Sequence, residues 1–151
     1  MSVINQLLSN RVLICALIAW TLAQILKLPF FYLLNKKWNW NSLWEPGGLP
    51  SSHTAIATAT ALAIGIYHGF DTPVFALSVT LTMIVVYDAT SVRRQAGIHA
   101  KWINLLVEEI ITAPDVQKQK LREVLGHTPF EAIMGVVLGV LVTLLYLWIF
   151  G

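Results

Sequence analysis

The stretch GGLPSSHT, residues 47–54, stands directly before an apolar run, Ala55–Tyr67. Its glycines and proline favour a turn, and the two serines that follow favour the start of a helix. The first backbone N–H groups of a helix have no partner inside it, so this end attracts an anion. His53 lies in the first turn, where an imidazole can donate a proton to a bound anion or accept one. The stretch therefore predicts an anion site at the start of an apolar helix.

A second stretch, GHTPFE at residues 126–131, has the same plan and precedes another apolar run. Its threonine, proline and Glu131 fit a helix N-cap, a first-turn proline and the acid of a capping box. In one interpretation Glu131 only closes the helix start. In the other, it lies four residues after His127 and holds the orientation and tautomer of that imidazole. The two roles are compatible.

The composition is that of an integral membrane protein. Of 151 residues, 56% are hydrophobic and 12% are charged, whereas a soluble domain has about 25% charged residues. The mean hydropathy is +0.67. A net charge of +2 is too small to indicate nucleic-acid binding, and one cysteine, Cys15, allows no internal disulfide. The length suits one domain over residues 1–151.

Four apolar segments predict an all-α helical bundle in a membrane. They are Val12–Leu34, about Ser52–Tyr67, about Pro73–Thr90 and about Pro129–Phe150. A spanning helix needs about 20 apolar residues, so the first and fourth are long enough and the middle two are short. Pro29 could end the regular helix of the first segment. The polar stretch 93–126 predicts two short amphipathic helices, separated near Pro114, because its apolar residues recur at helical spacing. Gly135 and Gly139 in the fourth segment predict close helix packing.

Ionisable residues in apolar segments are costly, and each has two interpretations here. Lys27 either serves a site or extends towards the interface near the Lys36–Lys37 pair. Arg93 and Arg94 either anchor the third segment at the membrane edge or bind phosphate, for which a guanidinium is a strong donor. Asp88 needs a charged partner, and one of these arginines is the expected one.

Basic residues predict the orientation, because short cytoplasmic loops of membrane proteins are enriched in them. If all four segments span, Arg11 is the one basic residue on the side of the chain ends. Six other Lys and Arg residues lie on the opposite side, without counting Arg93 and Arg94. The loops that carry His53 and His127 are therefore predicted to face the cytoplasm.

No metal site or other cofactor is predicted, because the histidines lack metal-ligand spacing and one cysteine cannot form a zinc cage. His68 and His99 are treated as background. His68 falls in the loop on the opposite side of the membrane.

Together these motifs resemble the superfamily of type 2 phosphatidic acid phosphatases and vanadium haloperoxidases, and more closely its small divergent membrane branch of bacterial and plastid proteins. The superfamily has Pro-Ser-Gly-His, where residues 50–53 read Pro-Ser-Ser-His, and His-xxx-Asp, where Glu131 replaces the aspartate. The resemblance to the branch covers nearly the whole chain. It rests on Lys-x-Pro from Lys27, Gly-Gly-x-Pro-Ser-Ser-His from Gly47, Asp-Ala-x-x-Val-Arg-Arg-Gln-Ala-Gly from Asp88 and Gly-His-x-Pro-x-Glu from Gly126.

The resemblance implies a role for each motif. His127 would be the nucleophile that forms a phosphohistidine, His53 the general acid to the leaving oxygen, and Glu131 the residue that keeps His127 neutral at its attacking nitrogen. The phosphoryl oxygens would be held by Lys27, Arg93, Arg94 and the N–H groups near Ser51 and Ser52. Supporting positions would be Asp88, Gly47, Gly48 and Gly126. A competing alignment through Arg94 and His99 is rejected because Ile103 stands where a carboxylate is required.

The implied activity is that of a metal-independent phosphoric monoester hydrolase of the acid-phosphatase type. Its substrate would be a lipid phosphate similar to phosphatidylglycerophosphate or phosphatidate, in a bacterial inner membrane or a plastid-type membrane. A polyprenyl diphosphate phosphatase is one alternative. Another is a non-enzymatic lipid-binding or assembly protein with a degenerate site. This alternative stays open because Ser52 and Glu131 replace the glycine and aspartate of the superfamily motifs and because Lys27 stands alone in the first motif. The expected partners are the bilayer and the lipid, with self-association into a homo-oligomer also compatible with the sequence.

Overall fold

The computed structural model describes residues 2–43, 47–110, 121, 123 and 126–151, and the regular elements in these ranges are all helical. This confirms the predicted all-α fold. The α-helices are α1 (Val3–Leu8), α2 (Arg11–Asn35), α3 (Ser52–His68), α4 (Pro73–Tyr87), α5 (Arg93–Ile110) and α6 (Pro129–Phe150). A 3-10 turn covers Trp40–Leu43, and a π-helical turn, Asp88–Val92, joins α4 to α5.

Three helical segments of the described chain are long and apolar enough to cross a membrane. They are α2, the continuous rod Pro73–Glu109 that contains α4, and α6. The second predicted segment, about Ser52–Tyr67, is α3, which has 17 residues and packs against α2, α4 and α6. The membrane bundle is therefore confirmed, with α3 as the helix that the others surround.

Small side chains form the centre of this bundle. Ala19 and Ala23 of α2 contact Ala55 and Ala59 of α3, and Val142 of α6 completes the cluster. Small residues allow helix backbones to approach closely, which is how helices associate in a bilayer. Many large apolar side chains lie on the outside instead, for example Leu77 and Trp148, as expected for a surface that contacts lipid.

The glycines of α6 bring it against α3, as their spacing predicts. A Cβ atom placed on Gly139 would lie 2.6 Å from the Ala55 carbonyl oxygen, and one on Gly135 would overlap the Thr54 hydroxyl. The same helices share hydrogen bonds across the contact. The Thr54 hydroxyl donates to the Ala132 carbonyl at 3.0 Å, and the Thr143 hydroxyl donates to the Ala59 carbonyl at 3.4 Å.

We expect Gly135→Ala to destabilise the protein, because the added methyl group forces α6 away from Thr54 and the Ser51 carbonyl. Overpacking of this kind costs about 1–3 kcal/mol. The measurement is the thermal unfolding midpoint in detergent, with Ile133→Ala on the exposed face of α6 as the control. An unchanged midpoint for Gly135→Ala would show that the two helices are not held in contact here.

Pro29 does not end the first apolar helix. Helix α2 continues through Pro29 to Asn35, although a proline ring removes the hydrogen bond to the carbonyl four residues earlier. The apolar side chains around it favour continued helix, since a bilayer offers the backbone no water as an alternative partner.

The first of the two amphipathic helices predicted in the polar stretch is present as α5, and it is longer than predicted. Helix α5 begins at Arg93 without a break and has 18 residues, because the π-helical turn carries the chain directly out of α4. Its apolar residues Ile103 and Leu106 are exposed, while Asn104 is buried and hydrogen-bonds both backbone groups of Leu121 at 2.9 Å. The second amphipathic helix and the break near Pro114 lie outside the described residues, apart from Leu121 and Glu123.

Candidate active site

Three separate parts of the chain are hydrogen-bonded together at one end of the bundle. The Ser51 N–H, at the start of α3, donates to the carbonyl of Glu131 at the start of α6, at 3.1 Å. The His127 N–H donates to the carbonyl of Ala89 in the π-helical turn, at 2.9 Å. The two helix starts and the turn are thereby held against each other, which places the predicted site residues of all three in one cluster.

The two predicted histidines face each other within this cluster. The ring centroids of His53 and His127 are 6.1 Å apart, with the ring planes inclined by 53°. His127 is buried, with 4% of its side chain exposed, whereas His53 is exposed. The arrangement pairs one enclosed imidazole with one accessible imidazole.

Glu131 combines both roles that its position in the sequence allows. Its carboxylate accepts a hydrogen bond from the Thr128 N–H at 2.8 Å, and the Thr128 hydroxyl accepts one from the Glu131 N–H, which completes the capping box. The same carboxylate oxygen lies 3.4 Å from Nδ1 of His127. Within the described residues this nitrogen has no hydrogen-bond partner, so the contact is electrostatic at this distance. Because Nδ1 faces the carboxylate, Nε2 is the nitrogen left for chemistry.

The π-helical turn explains how His127 is anchored. In an α-helix the Arg93 N–H would bond the carbonyl four residues earlier, which belongs to Ala89. Here the Arg93 N–H bonds the carbonyl of Asp88 instead, as in a π-helix. The Ala89 carbonyl accepts the His127 N–H. Sequence reasoning did not find Ala89, because its contribution is a backbone carbonyl released by an irregular turn.

Asp88 pairs with Arg93, which settles the choice between the two arginines. The Arg93 Nε lies 2.6 Å from the Asp88 carboxylate, and both side chains are partly exposed. Arg93 and Asp88 both interact electrostatically with His53. The Arg94 side chain is exposed and makes no hydrogen bond or ion pair within the described part of the chain. The Arg93 side chain is thus fixed beside Asp88 and close enough to act on His53, whereas the described residues give Arg94 no such partner.

Lys27 reaches the cluster from the interior of α2. It is buried, with 5% exposed, and a Cβ atom on Gly48 would lie 3.9 Å from its side chain. Its charge interacts with Glu131 and with His53. The alternative that Lys27 extends to the surface near Lys36 does not agree with this burial.

The start of α3 contributes backbone donors, but not all of those predicted. The Ser51 N–H is already bonded to Glu131, and the Ser51 hydroxyl accepts the Thr54 N–H at 3.4 Å as the N-cap. The N–H groups of Ser52 and His53 have no acceptor among the described residues. Ser51 thus supports the site, and the next two N–H groups are the ones that can receive an anion.

The glycines around the cluster have different functions. Gly47 and Gly48 have φ values of 98° and 87°, a conformation in which a side chain is strained. Gly126 lies against the backbone of Arg93 and Arg94, where a Cβ atom would come within 2.7 Å of the Arg94 Cα. Gly47 and Gly48 thus shape the loop that lies beside Lys27, and Gly126 shapes the segment that carries His127.

The two background histidines lie elsewhere. His68 ends α3 at the opposite end of the bundle, where it lines a cavity with Asn10 and Tyr67. His99 is exposed on α5.

Thr54 is the buried residue that sequence reasoning missed. The hydroxyl of Thr54 in the first turn of α3 lies opposite Gly135 of α6. This pairing can be recognised only when the packing of α3 against α6 is known.

Four motifs from distant parts of the chain thus form one cationic, histidine-bearing cluster on a membrane bundle. The chain belongs to the Divergent PAP2 family, whose sequence model matches residues 8–142. This agrees with the resemblance drawn from the motifs. The chain is also 37% identical, over 156 aligned residues, to the uncharacterized membrane protein YuiD of Bacillus subtilis strain 168. That alignment covers 96% of this chain and 99% of the relative. No solved structure gives a significant match.

Proposed function

We propose that the protein is a lipid phosphate phosphatase that acts through a phosphohistidine on His127. The observation that carries the proposal is the pair of imidazoles 6.1 Å apart, one buried against a carboxylate and the other exposed among cationic side chains. Family membership supports a phosphatase-like fold. The substrate is a phosphomonoester of the phosphatidylglycerophosphate or phosphatidate kind.

In the first step, Nε2 of His127 attacks the phosphorus atom. The bond between phosphorus and the lipid oxygen breaks, and the leaving oxygen takes a proton from His53. Glu131 supports this step because its negative charge beside Nδ1 stabilises the positive charge that develops on the imidazole. An incoming phosphate also favours the protonated form of His53, since a nearby anion stabilises a cation.

In the second step, a water molecule attacks the phosphohistidine. His53, now neutral, accepts a proton from the water, the phosphorus–nitrogen bond breaks, and the electron pair returns to His127. Inorganic phosphate leaves and the histidines regain their initial states. The same imidazole acts first as an acid and then as a base, which its exposure to water permits.

Charge stabilisation is the main requirement of phosphoryl transfer, since the transferred group carries its charge on three oxygens. Lys27 and Arg93 are suitable for two of them, because both interact electrostatically with His53. The N–H groups of Ser52 and His53 supply uncharged donors at the helix start. Arg94 is not included in this set, because it is exposed and has no hydrogen bond or ion pair among the described residues that would hold it there.

We expect phosphate release from lipid phosphates to continue in EDTA and to be inhibited by vanadate. The lysine and arginine charges take the role that a metal has in other phosphatases, and vanadate occupies the phosphoryl position with five ligands. The assay is phosphate release by purified protein in detergent. The variant Lys27→Met, in which one of the phosphate-binding positive charges is removed, is measured in parallel. Activity that disappears in EDTA and returns with magnesium would contradict the mechanism.

We also propose that the cluster faces the cytoplasm, from the excess of basic residues on its side. In a Cys15→Ala background, Lys37→Cys and Glu109→Cys are expected to resist an impermeant thiol reagent in intact cells. Asp71→Cys, in the turn between α3 and α4, is expected to react. Trp38 and Trp40, which follow the end of α2, are exposed, as is usual for aromatic residues at a membrane interface. The reverse labelling pattern would invert the orientation.

A further inference from the structure

An apolar groove runs between α3 and α4 and begins at His53. Its volume is about 270 Å³, just below the roughly 300–1,000 Å³ of pockets that enclose a whole small ligand. The α3 wall contains His53, Ile56, Ala57 and Thr60, and the α4 wall includes Leu81 and Val85. From residue 53 to residue 60 the groove extends along α3 by about 10 Å at 1.5 Å per residue.

The hydroxyl groups in this groove do not make it polar. The Thr60 hydroxyl donates to the Ile56 carbonyl at 2.8 Å, and the Ser78 hydroxyl donates to the Phe75 carbonyl at 2.7 Å. The Thr82 hydroxyl donates to the carbonyls of Ala57 and Ser78, at 3.1 and 2.8 Å. With these donors bonded to backbone carbonyls, the walls present mainly carbon atoms. A guest with hydroxyl groups would leave those groups unpaired, which is unfavourable.

We propose that this groove holds the hydrocarbon chain attached to the leaving oxygen of the substrate. The inference rests on the proposed function and specifies its substrate. His53 belongs both to the phosphate cluster and to the groove, so the group bonded to the oxygen that His53 protonates lies at the groove entrance. The part of the substrate next to that oxygen therefore enters an apolar space. Of the two proposed kinds of substrate, this favours a phosphatidate, because the glycerol next to the leaving oxygen of a phosphatidylglycerophosphate carries a hydroxyl group and a charged phosphodiester. This favours phosphate esters with an aliphatic chain over water-soluble sugar phosphates.

The first test fills the groove. Ala57→Phe is expected to lower kcat/KM for a long-chain alkyl phosphate by about 10–200-fold, the range in which hydrophobic pockets discriminate. The rate with nitrophenyl phosphate should stay near that of the wild type, because its small leaving group does not need the groove. Ala76→Phe is the matched control, since Ala76 lies on the exposed part of α4 and does not line the groove. Equal losses on both substrates, or no loss on either, would overturn the proposal.

The second test does not depend on turnover. A long-chain alkyl phosphate with a photoreactive group in its chain is expected to label peptides containing residues 56–60 and 81–85 of the wild-type protein. Val85→Phe, which fills the groove from the α4 wall, should reduce this labelling, as should competition by the unmodified alkyl phosphate. Labelling of these peptides without hydrolysis would retain the groove and refute the phosphatase function. Equal labelling by the corresponding alcohol would indicate that the groove binds ordinary bilayer lipid. Preferential labelling of other peptides would indicate that the chain binds elsewhere. Either result would refute the proposal.

Discussion

His127→Ala is expected to abolish phosphate release and to leave no covalent phosphoenzyme. Removal of a catalytic nucleophile has lowered kcat by about 10⁶-fold in a well-studied hydrolase, and a loss of that order is expected here. The fold should tolerate the change, because the bond from residue 127 to Ala89 uses the backbone N–H. The measurement combines steady-state phosphate release with denaturation of the enzyme at alkaline pH during turnover of radiolabelled substrate, because a phosphohistidine survives base and is lost in acid.

His99→Ala provides the control for this experiment and tests the rejected alignment. His99 is exposed on α5, and its variant is expected to retain wild-type activity. The trapped phosphate should be acid-labile and should lie on the peptide that contains His127. Phosphate on the peptide that contains His99, or full activity of His127→Ala, would refute the assignment of the nucleophile.

His53→Ala is expected to slow hydrolysis of a lipid phosphate by about 10²–10⁴-fold, the contribution typical of general acid catalysis. The loss should be smaller with nitrophenyl phosphate, because its leaving oxygen needs no proton. Phosphohistidine should still form on His127 with that substrate. His68→Ala is the matched control at the other end of α3 and should have no effect. Equal losses with both substrates in the single-turnover rate of phosphoenzyme formation would show that His53 does not protonate the leaving group. The comparison uses this step because the later hydrolysis, in which His53 accepts a proton, is common to both substrates.

Motifs that act locally could be read from the sequence. The capping box of Thr128 and Glu131 and the tight packing of Gly135 depend on spacing along one helix, and both are present in the structure. The pairing of Asp88 with an arginine also followed from the cost of a lone charge in an apolar segment. In each case the physical cause operates over a few residues.

Features that depend on contacts between helices could not be read in this way. The sequence identified Ser51 as a source of anion-binding N–H groups, but its N–H bonds the carbonyl of Glu131, 80 positions later in the chain. Whether Lys27 is buried or reaches the surface depended on the loop that carries Gly48. The continuous α5 helix depended on the π-helical turn, for which the sequence gives no local signal.

The π-helical turn at Asp88–Val92 also has a consequence for tolerance to insertions and deletions. A π-helical turn contains one residue more than the α-helical turn it replaces, and each residue rotates a helix by about 100°. Deletion of a single residue here would leave α4 in place and rotate the start of α5, turning Arg93 away from His53. It would also restore the α-helical partner of the carbonyl that anchors His127. The deletion would thus leave α4 in place and remove both Arg93 and the anchor of His127 from the cluster.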